Sequence, residues 1–98
     1  MAEHKIIWSP SALKELKDTL EFYNVRNGSN IYSSKLLSEL KSYLKTLSIQ
    51  PFLGRPTSDY KTRVLVFNDY LIFYQNRIDQ IEIVSFWDNR QNEQNKKH

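Results

Sequence analysis

Apolar residues recur along this chain in three different rhythms. His4-Lys5-Ile6-Ile7-Trp8 is a short β-type run that stops at Ser9-Pro10. From Ser11 onward Leu13, Leu16, Leu20 and Tyr23 recur three or four residues apart, while Lys14, Glu15, Lys17, Asp18 and Glu21 fill the intervening positions. That spacing predicts an amphipathic helix with one apolar face. A second stripe, Leu36, Leu37, Leu40, Tyr43, Leu44 and Leu47, predicts another helix, with Lys35, Glu39, Lys41 and Lys45 mostly off it. After Tyr60 the pattern changes to extended runs. Lys61 to Phe67, Tyr70 to Gln75 and Gln80 to Trp87 read as three strands, separated by turns at Asn68-Asp69 and Asn76 to Asp79.

The boundaries carry their own signals. Ser9 suits the cap of the first helix and Pro10 its first position, where a missing N–H costs nothing. Trp8 and Leu13 fall at the two positions of a hydrophobic staple. Asn27-Gly28 is a helix stop, Ser29 or Asn30 can cap the second helix, and Pro51 forbids its continuation. The link between the two helices is short, so they are expected to form an antiparallel hairpin. Gln50 to Tyr60, with Pro51, Gly54 and Pro56, reads as an irregular loop. The short turns between the last three strands force an antiparallel meander whose middle strand is apolar on both faces. The predicted architecture is α+β in the order β-α-α-β-β-β. A helical hairpin packs on one face of a mainly antiparallel four-stranded sheet. One domain is expected over residues 1–88, with residues 89–98 a polar, mobile tail. This order differs from the βαββαβ of RNA-recognition domains and from the helix-terminated double-stranded-RNA domain.

Composition narrows the class. The 98 residues are enough for one small domain, and 13% aromatic content excludes intrinsic disorder. Without cysteine there is neither a disulfide nor a thiolate zinc site. No apolar run reaches the ~18 residues of a membrane span, and the first residues lack the apolar stretch of a secretory signal, so a cytoplasmic protein is expected. A net charge of +3 is compatible with nucleic acid or an acidic protein segment as partner. Phosphate loops and metal-binding spacings are missing, and His4 and His98 stand at opposite ends, so no cofactor or metal is expected.

The candidate chemistry lies on the sheet. Lys61 and Arg63, two apart on one strand, project from one face. Tyr60 precedes them, Tyr70 and Tyr74 alternate on the neighbouring strand, and Arg90 follows the last strand. Cations and aromatic rings on an open sheet face can hold phosphates and stack bases. The same residues also admit structural roles: a Lys-x-Arg guards an edge strand, and tyrosines of a central strand fill a core. In Trp87-Asp88-Asn89-Arg90 an Asp–Arg pair can contact the helical hairpin.

Four stretches together carry a family resemblance over about nine-tenths of the chain. They are the opening strand with Ser9-Pro10-Ser11-Ala12-Leu13, the loop Gln50-Pro51-Phe52-Leu53-Gly54-Arg55-Pro56, the segment Tyr70-Leu71-Ile72-Phe73-Tyr74, and the ending Val84-Ser85-Phe86-Trp87-Asp88-Asn89-Arg90. In their order and spacing the chain resembles the RelE/ParE superfamily, the toxic halves of bacterial type II toxin–antitoxin pairs. The resemblance implies a growth-inhibitory toxin neutralised by a cognate antitoxin, which is usually acidic and often covers the hairpin groove and the sheet face. It also implies one of two activities. RelE-like members cut messenger RNA on the ribosome, without a metal, by making the 2′-hydroxyl attack the adjacent phosphate. In that case Lys61, Arg63 and Arg90 would be catalytic. ParE-like members keep the fold but act on DNA gyrase through protein contact, with Tyr60, Lys61, Arg63, Tyr70 and Arg90 as target-binding residues. Leu71 stands where the RNase pattern has an arginine, and no tyrosine follows Trp87. That departure favours the gyrase branch. A degenerate, non-toxic binding module is the further alternative.

Overall fold

A computed structural model describes residues 3–89. The elements run β1 (Lys5–Trp8), α1 (Pro10–Asn27), α2 (Ile31–Ile49), β2 (Arg55–Pro56), β3 (Thr62–Phe67), β4 (Tyr70–Asn76) and β5 (Gln80–Asp88). They build one five-stranded sheet in the order β1-β5-β4-β3-β2. Strands β2 to β5 pair antiparallel, whereas β1 lies parallel to β5. The expected α+β architecture is present with one strand more than the four predicted. The extra strand is β2, whose Arg55 and Pro56 pair with Val64 and Arg63. A two-residue strand containing a proline has no alternation to read, and proline is tolerated there because β2 is an edge.

Local chemistry explains the joints. The Ser9 side chain accepts the Ala12 N–H, and its own N–H donates to Ile83 O at 2.9 Å, so one residue caps α1 and ends β1 on the sheet. Gly28 closes α1 in the left-handed region at φ 69°. Asn68, at φ 53°, makes the tight β3–β4 turn, a conformation asparagine tolerates better than most residues. Asn30 caps α2 in position but without a side-chain bond.

The core lies between the hairpin and one face of the sheet. Leu36, Leu40, Leu44 and Leu47 from α2 meet Leu65, Phe67, Tyr70, Ile72, Tyr74, Ile81, Ile83 and Phe86 from the strands. The face of α1 is turned by about one position from the expected stripe. Ala12, Leu16, Thr19 and Tyr23 are buried, whereas Leu13 is 38% exposed. The cause is the way α1 meets β5. Glu15 Oε1 accepts the Phe86 N–H at 3.0 Å and the Ser85 hydroxyl at 3.2 Å. The helix thus closes the part of the β5 edge that β1 is too short to cover, and that contact fixes its rotation. Trp8 packs on Phe86, with ring centroids 6.2 Å apart, so it belongs to this core. The tail expected from residue 89 lies outside the described residues, save Asn89, whose N–H donates to Asp69 O at 2.9 Å.

Candidate functional site

Strand alternation sorts the sheet into two faces. In β3 and β4 the pairs Leu65–Ile72 and Phe67–Tyr70 point under the helices. The intervening pairs, Val64–Phe73 and Val66–Leu71, point the other way, and Leu71 is paired in turn with Trp87 of β5. The uncovered face therefore carries a contiguous apolar patch of Val64, Val66, Leu71, Phe73 and Trp87. Phe73 and Trp87 make an edge-to-face contact at 6.0 Å. Val66 is 52% and Trp87 41% exposed, so the patch is open to a partner. Its border is polar. Gln75 donates to the Thr62 hydroxyl at 3.1 Å, Arg77 pairs with Glu82 at 2.6 Å, and exposed Arg55 stands beside Val64. A β-bulge between Phe73/Tyr74 and Ser85/Ile83, with Val84 as the extra residue, keeps Trp87 on this face and Phe86 beneath the helices.

The cationic cluster expected on the open face is not assembled there. Arg63 pairs with Tyr74 and so shares the helix-covered face. Its guanidinium donates to Gly54 O and lies 4.9 Å over the Phe52 ring. Arg63 thus holds the loop before β2. Lys61 precedes β3 in the turn, exposed, with its N–H on Asp59 Oδ1 at 3.0 Å. Tyr60 beside it is 95% exposed. Tyr70, expected as a target-binding ring, is 1% exposed and stacks between Phe67 and Phe86. Its hydroxyl meets that of Tyr32 at 2.8 Å. Tyr70 is a core residue and offers no ring at the surface. Burial and the bond to Tyr32 hold its hydroxyl pKa well above the ordinary tyrosine value. Arg90 lies outside the described residues.

Tyr74 is also fully buried, at the centre of a latch. Its hydroxyl accepts the Gly54 N–H at 2.9 Å and donates to Pro51 O at 2.9 Å. Burial raises its pKa, against the lowering influence of the Gly54 bond and of Arg63. Gly54 has to be glycine, because a Cβ there would lie 2.7 Å from Val64 O and 2.8 Å from the Tyr74 ring. The Asp88 carboxylate accepts the Tyr23 hydroxyl at 2.6 Å, which joins the end of β5 to the hairpin; the Arg90 of the expected Asp–Arg pair lies outside the described residues.

Among the described residues no group of three or more His, Asp or Glu could hold a metal ion. The apolar patch was missed in sequence because its members were read only as strand residues, with no face assigned to them. The clue was that β4 is apolar on both faces while the two predicted helices can cover only one.

The comparisons with known proteins agree with this architecture. Residues 6–93 match the family model of the ParE toxin of type II toxin–antitoxin system, parDE. The fold is similar to a solved chain from the chromosomal ParDE TA system from P. aeruginosa, with a TM-score of 0.69 and 17% identity over 86% of this chain and 94% of that one. No curated protein sequence matches. The chain belongs to the ParE toxin family of type II toxin–antitoxin systems.

Proposed function

We propose that this member of the ParE toxin family arrests growth by binding a protein target, DNA gyrase, through the open face of its sheet. In this reading it does not cut RNA, and a cognate antitoxin neutralises it. The observation that carries the reading is Leu71. Where the RNase pattern has an arginine, this chain has a leucine at the middle of the apolar row Val66–Leu71–Trp87. Phosphoryl transfer from a 2′-hydroxyl needs a proton acceptor, a proton donor and cations around the phosphorane. Arg63 is engaged with Gly54 and Phe52, and Tyr70 and Tyr74 are buried. What the face does offer, aromatic and aliphatic side chains inside a polar rim, has the composition of a protein–protein contact. Exposed Tyr60, Lys61 and Arg55 extend that rim as target-contact residues, and a gyrase target puts the place of action in the cytoplasm.

The test is supercoiling of relaxed plasmid by purified gyrase in the presence of the purified chain. The reading predicts inhibition by the wild-type chain and its loss in Leu71→Glu. If gyrase is unaffected while the chain cuts messenger RNA on programmed ribosomes, the reading fails and the RNase branch takes its place.

A further inference from the structure

A cleft of about 730 Å³ lies at the end of the sheet where β1 begins and β4 turns into β5, a volume within the range of small-molecule pockets. Its lining is mainly apolar. Ile49 comes from the end of α2, Pro51 and Phe52 from the loop that follows, and Ile78 from the β4–β5 turn. Ile78 is 98% and Phe52 71% exposed, so two large apolar side chains stand open at its mouth. The walls are held in place by bonds behind them. The Arg63 guanidinium lies 4.9 Å over the Phe52 ring, and Pro51 O accepts both the Tyr74 hydroxyl and Asn76 Nδ2. The cleft is thus shaped before any ligand enters.

Two polar side chains, His4 and Asn76, line the same cleft. Their Nδ1 and Oδ1 atoms are the two buried side-chain atoms that lack a hydrogen-bond partner among the described residues. Asn76 Nδ2 is committed to Pro51 O at 3.3 Å, so its Oδ1 is left as an acceptor in need of an N–H or O–H. A neutral imidazole nitrogen either accepts or donates, so His4 Nδ1 suits both kinds of partner. Buried polar groups left unsatisfied cost stability, which a donor entering the cleft would recover. His4 and Asn76 are only half-buried as residues, so a small side-chain rotation can bring either atom to the cleft. Charge is not on offer, because Arg77 of the lining is paired with Glu82 at 2.6 Å.

We propose that this cleft binds a small, uncharged aromatic molecule that carries an N–H or O–H donor. Its ring lies against Phe52, between Ile49 and Ile78, and its donor meets Asn76 Oδ1, with His4 Nδ1 as the second polar contact. An aromatic ligand suits a platform that is itself a fixed ring, since rings attract one another in offset or edge-on contact. The site stands apart from the open face that carries Val66, Leu71 and Trp87, so its test needs neither gyrase, antitoxin nor toxicity.

Indole and 1-methylindole are titrated into isotope-labelled full-length chain as probes that differ in one N–H. Indole is expected to shift the resonances of Phe52, Ile78 and the Asn76 side-chain amide, saturably and at roughly millimolar affinity. The methyl group adds apolar surface, so burial alone would make 1-methylindole bind at least as well. Loss of the donor is instead expected to weaken it by about fivefold or more. Ile78→Ser, at a side chain that packs on little, should keep the fold and weaken indole by about threefold or more. Equal or tighter binding of 1-methylindole overturns the proposal. So does a set of shifts that leaves Phe52, Asn76 and Ile78 unmoved, or no binding of indole. Movement of the same resonances with protein concentration alone would assign the cleft to a second copy of the chain and overturn it as well.

Discussion

Taking one oxygen out of the core, as Tyr74→Phe, asks how the loop between α2 and β3 is held. The Tyr74 hydroxyl accepts the Gly54 N–H and donates to Pro51 O, both at 2.9 Å. The phenylalanine ring fits the same space, so the change removes hydrogen bonds with little effect on packing. Pro51 O keeps a second donor, Asn76 Nδ2 at 3.3 Å, and loses little. The Gly54 N–H has no such substitute, since Gly54 is itself buried. Stranding a buried donor costs about 1–3 kcal/mol, and about 2 kcal/mol is expected overall. That is about a 30-fold change in the ratio of folded to unfolded protein. In urea the midpoint should fall by roughly 0.7–2 M at unchanged slope. The amide of Gly54 should lose hydrogen-exchange protection in step. Arg63→Met removes the bond to Gly54 O, and its effect should be non-additive with Tyr74→Phe by about 0.5 kcal/mol or more, because both bonds hold the same residue. A loss below about 0.5 kcal/mol for Tyr74→Phe would place it with ordinary surface substitutions and refute the latch.

The tyrosines also set an alkaline limit. Folded-state pKa values of Tyr70 and Tyr74 are raised, so their contribution is complete below the unfolded value of about 10 and is lost as pH rises above it. Thermal melts should therefore fall above about pH 10, less steeply in Tyr70→Phe. Glu15→Ala strands the Phe86 N–H and the Ser85 hydroxyl at the β5 edge and should cost about 1–3 kcal/mol by urea unfolding, with Glu15→Gln recovering part. Val66→Glu on the open face should leave stability within about 0.5 kcal/mol and yet abolish growth arrest on induction. Arrest that persists in a well-folded Val66→Glu chain removes the open face from the account.

Much of the fold was legible because periodicity and caps agreed. Ser9-Pro10, Gly28 and Asn68-Asp69 each marked a boundary that the backbone adopts. The rotation of α1 was not legible. Leu13 outranks Ala12 and Thr19 in hydrophobicity, and only the tertiary contact of Glu15 with β5 decides which of them is buried. Arg63 and Tyr70 were read as site residues from type and alternation alone. Alternation says that two residues share a face, but not which face the helices cover. The Gly54 latch left a trace in sequence, one of only two glycines set between prolines, but its partner Tyr74 is twenty residues away.

The central claim is that this toxin acts on a protein target and not on RNA. Pulse-labelling of DNA and protein synthesis in the minutes after inducing the chain alone tests it most directly. The account predicts that DNA synthesis fails first while protein synthesis continues. An early collapse of protein synthesis with DNA synthesis intact would contradict it, and would return Lys61, Arg63 and Arg90 to the position of catalytic candidates.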